Sequence, residues 1–98
     1  MRKYEIDLPL NYIDGEPIEQ EKISRVRDEL LAEFGSFAEP YRRTWKYDGA
    51  KYVEILKLEI VTSNDNVPKK FLKDFKERLK ESLGQRNILI TTHRIQTV

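Results

Sequence analysis

Ninety-eight residues make one domain, 1–98, large enough to hold a modest core without metals or cross-links. The chain has no cysteine, which excludes disulfides, thiolate zinc sites and cysteine nucleophiles. Eighteen Lys and Arg against 17 Asp and Glu leave a formal charge of +1, which gives no push toward nucleic acid, and 10% aromatic residues argue against disorder.

No apolar signal segment follows Met1, Arg2 and Lys3, and no stretch approaches the ~20 apolar residues of a membrane span. The expectation is a cytoplasmic protein with no membrane partner and no cofactor.

Residues 3–10 alternate, with Tyr4, Ile6, Leu8 and Leu10 on one face and Lys3, Glu5 and Asp7 on the other. This is the pattern of a half-buried strand that Pro9 ends. Residues 11–17 predict a turn with Asp14 and Gly15 at its tip and Pro17 opening a helix. The helix is expected over 18–34, with a stripe of Ile23, Val26, Leu30 and Phe34 widened by Leu31, and Gly35 as its stop.

A second strand is predicted over 41–47, with Arg43, Trp45 and Tyr47 sharing a face. Asp48 and Gly49 give a hairpin signal before a β-rich run over 51–62. In that run Leu56, Leu58 and Ile60 should face the core, and Val53, Ile55, Lys57, Glu59 and Val61 the other side. Residues 63–66 read as a capping loop, with Pro68 just inside a second helix whose stripe is Phe71, Leu72, Phe75, Leu79 and Leu83, ended by Gly84. The last strand is expected over 87–95, with Ile88 and Ile90 on one face and Leu89, Thr91, His93 and Ile95 on the other.

Each helix has one apolar stripe to bury, and a hairpin sits in the middle of the element order. The expected class is α+β, a ferredoxin-like βαββαβ fold with a four-stranded antiparallel sheet and both helices on one face. The other face is then open.

The run of Tyr4-Glu5-Ile6, Leu8-Pro9-Leu10, Asp14-Gly15, Pro17-Ile18, Phe34-Gly35, Trp45, Gly84-Gln85 and Ile88-Leu89-Ile90-Thr91 resembles small stand-alone bacterial proteins of uncharacterised function with a ferredoxin-like domain. Ser36 follows Gly35 where that pattern has a second glycine, and the segment before Trp45 is unusually basic. The resemblance implies a compact domain and lends no activity.

Three groups of residues are candidates for function. Glu5, Asp7, Lys57, Glu59 and His93 fall on the open face of adjacent strands. Carboxylates with a histidine suit a hard divalent metal or acid–base work, and a metal-dependent phosphodiesterase or hydrolase using Asp7, Glu59 and His93 is one reading. The simpler account is a solvated sheet face whose charges pair across strands. Arg43, Trp45 and Tyr47, together with Lys69, Lys73, Lys76 and Lys80 along the second helix, suit a single-stranded nucleic acid. Against that stand the carboxylates of the central strands, and the lysines have an acidic neighbour in Glu29 and Glu33 of the first helix.

The third group, Arg43, Trp45, Tyr47, Val53, Ile55, Val61, Leu89 and Ile95, mixes aromatic and aliphatic side chains on the uncovered face. It supports the leading expectation, a non-enzymatic module that forms a homodimer. No P-loop, GxGxxG, HExxH, GxSxG or CxxC pattern occurs in the chain.

Overall fold

The computed structural model describes residues 1–35, 44–48, 51–62 and 67–96, with the backbone alone for 44–48, 51–53 and 67–68. The elements run β1 (Arg2–Pro9), α1 (Gln20–Phe34), β2 (Thr44–Asp48), β3 (Lys51–Thr62), α2 (Val67–Ser82) and β4 (Leu89–Arg94).

The class is α+β, as expected. The expected ferredoxin-like sheet of four strands is corrected. The sheet that carries the core is a three-stranded antiparallel one, β3-β1-β4, with β1 in its centre. Thr44–Asp48 is a short backbone ladder on the outer edge of β3, giving the order β2-β3-β1-β4. Every strand residue in the described core cluster comes from β1 or β3, with Ile88 added just before β4. β1 and β3 each present three side chains to the helices.

Tyr4, Ile6 and Leu8 pair across the ladder with Ile60, Leu58 and Leu56, so one apolar row faces another. Ile23, Val26 and Leu30 of α1 and Leu72, Phe75 and Leu79 of α2 pack on them. Phe71 bridges the helices, edge-on to Phe34 and stacked on Phe75, both at 5.5 Å. Leu31, expected to widen the α1 stripe, is 46% exposed. It lies about 100° round the helix from Leu30, past the edge of the buried face.

Helix α1 begins two residues later than expected. Asn11 bridges to Pro17 and the Ile18 N–H donates to the Leu10 carbonyl at 2.9 Å. Pro17 and Ile18 therefore close the turn as extended chain, and the helix starts after Glu19. Gly35 ends it in the left-handed region, φ 79°, with its N–H on the Leu31 carbonyl.

The outer hairpin also differs. The last ladder pair is Asp48 with Lys51, so Asp48 belongs to the ladder of β2. Residues 49 and 50, Arg43 with the start of the expected second strand, and the 63–66 capping loop lie outside the described residues.

Candidate association surface

Alternation along β1 places Lys3, Glu5 and Asp7 on the side away from the helices. The ladders bring Val61 and His93 to either side of Lys3, Glu59 and Thr91 to either side of Glu5, and Lys57 and Leu89 to either side of Asp7. All five residues of the predicted polar group thus share the open face, on successive rungs.

Its electrostatic centre is Lys3, which the predicted group omits. The ammonium lies 3.2 Å from a carboxylate oxygen of both Glu5 and Glu59. Hydrogen bonds to Glu59 first and Glu5 second hold its pKa above the ordinary lysine value. Two carboxylates facing each other across strands repel, and a shared cation between them removes the repulsion. This is the pairing that the simpler account of the face anticipated.

The metal reading needs Asp7, Glu59 and His93 to converge, and the register spreads them over three rungs. His93 pairs with Lys3, four residues from Asp7, which is about 13 Å along a strand. Ligands of one cation approach it to about 2.5 Å. No group of three His, Asp or Glu among the described residues has the spacing for a metal ion.

The apolar group is also redrawn. Ile55, expected in the open, is only 6% exposed and stands across the ladder from Pro9, itself buried. Flanked on its other side by Thr44, it lies between two strands and contributes little exposed surface. Val61 and Leu89 are exposed, at 51% and 41%, and Ile95 is half-buried. The ladder sets positions 45 and 47 opposite 54 and 52, which alternate with Ile55. The side chains of Trp45, Tyr47, Arg43 and Val53 lie outside the described residues.

On α2, Lys69 and Lys73 are exposed, and Lys80 pairs with Glu77 on its own helix at 3.4 Å. Among the described residues the salt bridge between the helices is made by Arg78 with Glu29 and not by the lysine stripe. Its guanidinium lies over the rings of Phe75 and Phe71 and donates to Glu29 at 2.9 Å. It borders a cleft of about 120 Å³ between the helices, with Lys22 and Arg25 on the α1 side.

A second polar cluster has no periodic signal in the sequence, because a turn and two helix ends build it. The Tyr12 hydroxyl donates to Glu19, and Lys22 donates to Tyr12 at 2.8 Å and to the Ser82 carbonyl at 3.1 Å. The hydrogen bond that Tyr12 donates is the main cause that lowers the Glu19 pKa, and the one it accepts from Lys22 is the main cause that raises that of Lys22. Gln85 adds a bond to the Asn11 carbonyl at 3.0 Å. The cluster fastens the first turn to the end of α2.

No helix among the described residues is long and apolar enough to cross a membrane. Compared with family models, with curated proteins and with solved structures, the chain matches none.

Proposed function

We propose that the protein is a non-enzymatic module that acts by association, with another copy of itself as partner and the open sheet face as the surface used. The observation that carries this reading is the exposure of Val61 and Leu89, at 51% and 41%, on well-ordered ladders of the side turned away from the helices. Large aliphatic side chains on a rigid surface gain free energy when a partner removes them from water. The charges between them oppose covering less than isolated ions would, because Lys3 offsets part of the charge of Glu5 and Glu59. A paired set costs less to desolvate than isolated ions do. A two-fold axis lets one surface serve both subunits.

The test is sedimentation velocity from about 1 to about 100 μM, the range of weak to moderate self-association, on the wild type and on Val61→Asp and Leu89→Asp. The expected result is a wild-type dimer that at least one of these substitutions dissociates. A wild type that sediments as a monomer throughout removes the reading.

A further inference from the structure

We propose that the cleft between the two helices binds a phosphate group, held by Lys22, Arg25 and Arg78. The site lies in the helix layer, apart from the open sheet face, and does not depend on the association reading.

The cleft measures about 120 Å³, and its two walls have the same construction. Lys22, Arg25 and Glu29 follow at steps of three and four along α1, and Phe75, Arg78 and Ser82 at steps of three and four along α2. Each wall is therefore one face of one helix. The helices run in opposite directions here, since Lys22 donates to the Ser82 carbonyl at 3.1 Å and Arg78 to Glu29 at 2.9 Å. These two ties cross the cleft. Arg25 stands between them, one turn from Lys22 and one turn from Glu29.

Two of the three cations are held in place by the protein itself. Lys22 is fixed by the Tyr12 hydroxyl as well as by Ser82, and the Arg78 guanidinium lies 5.5 Å from the centre of the Phe75 ring and 6.0 Å from that of Phe71. Both keep donors to spare. An ammonium has three N–H groups, of which Lys22 gives two to Tyr12 and Ser82, and a guanidinium has five, of which Arg78 gives one to Glu29. Arg25 is exposed, and among the described residues its side chain has no carboxylate or carbonyl partner.

Charge selects the ligand. Three cations against the one carboxylate of Glu29 leave the lining at +2, more than the +1 of the whole chain. A carboxylate offsets half of that surplus. A phosphate monoester carries about −1.5 to −2 at neutral pH and brings three acceptor oxygens, one for each cation. Glu29 already shows that an anion sits against Arg78 from this side. The floor of Val26, Phe75 and Leu79 is buried and offers no competing polar side chain. Lys22 is 35% exposed and Arg78 54%, so water and salt screen the site and its affinity is modest.

The test is an amide NMR titration with inorganic phosphate at neutral pH and constant ionic strength, up to about 20 mM, against an expected dissociation constant of about 1 mM. Amides within residues 22–29 and 75–82 should shift together and saturate. Arg25→Gln should raise the dissociation constant about fivefold or more, and Glu29→Gln, which frees Arg78 of its internal anion, should lower it, both with unchanged circular dichroism. Phenyl phosphate in the same titration identifies the source of the group. Tighter binding than inorganic phosphate assigns a phosphomonoester, equal or weaker binding assigns free phosphate, and either result keeps the site. Shifts that do not saturate, an Arg25→Gln variant that binds like the wild type, or a Glu29→Gln variant that binds no tighter than the wild type overturns the proposal.

Discussion

Glu5 faces Glu59 directly across the β1–β3 ladder, a like-charged pair on the two central strands. The arrangement is tolerable because the Lys3 ammonium touches both carboxylates. Lys3→Met should therefore lower the melting temperature by more than the loss of an ordinary exposed lysine, and adding Glu59→Gln should recover part of the loss. Equal melts for wild type and Lys3→Met would show that the three charges are not coupled.

The same lysine gives a pH dependence. Its folded pKa is raised above 10.5 by Glu59 and Glu5. A group whose pKa is raised on folding stabilises fully below its unfolded value, and that contribution is lost as pH rises through the folded value. Thermal melts above pH 10.5 should fall with pH, and the fall should be shallower for Lys3→Met. Parallel curves would rule out Lys3 as a source of the alkaline loss.

Ile55→Asp separates a buried position from a surface one. Ile55 is turned away from the helices yet almost fully covered. A carboxylate there has to be desolvated or protonated, at a cost of roughly 2 kcal/mol or more. The substitution should lower the unfolding midpoint of the monomer itself, as read in urea. A variant with unchanged stability and altered association alone would place Ile55 on the surface.

Leu30 and Leu31 are neighbours in sequence with opposite expected costs. Leu30 is fully buried, and Leu30→Ala should lose about 2–5 kcal/mol through the cavity it leaves. Leu31 is 46% exposed, and Leu31→Ala should stay within about 0.5 kcal/mol. Chemical denaturation of the two variants checks the helix phase, and similar losses would mean that α1 is rotated.

Tyr12→Phe addresses the turn cluster. The Glu19 pKa is lowered below 4.5 chiefly by the Tyr12 hydroxyl, so that stabilisation is present above 4.5 and is lost as pH falls through the folded value. In a carboxyl-carbon NMR titration, Tyr12→Phe should move the Glu19 midpoint up toward 4.5. An unmoved midpoint would assign the shift to other groups.

The strand and helix periods were legible because burial acts on every second or every third and fourth residue. Tyr4, Ile6, Leu8, Leu56, Leu58 and Ile60 are read directly from alternation, as are Ile23, Val26 and Leu30 from helical spacing. Alternation assigns a face but not whether that face is wet at each rung, which is why Ile55 was misplaced. Glu5 and Glu59 were legible as face-mates, whereas the role of Lys3 depends on which rungs adjoin, a matter of inter-strand register. The Tyr12 cluster escaped for a different reason. Its members come from a turn, from α1 and from the end of α2, and meet only after the chain has folded. Pro17 misled about the helix start because a proline that can open a helix also fits extended chain.

The pairing of β1 with β4 joins Arg2 to Arg94 and Asp7 to Leu89. The central strand is thus synthesised before the other strands and is the last to gain both neighbours. Contacts of such long sequence separation are slow to form, because a large loop must close before they contribute. On the ribosome, β1 has to wait with one side unpaired until β4 has left the exit tunnel, while the hairpin and helices between them can already organise. Nascent chains stalled before Leu89 should remain open to protease within β1.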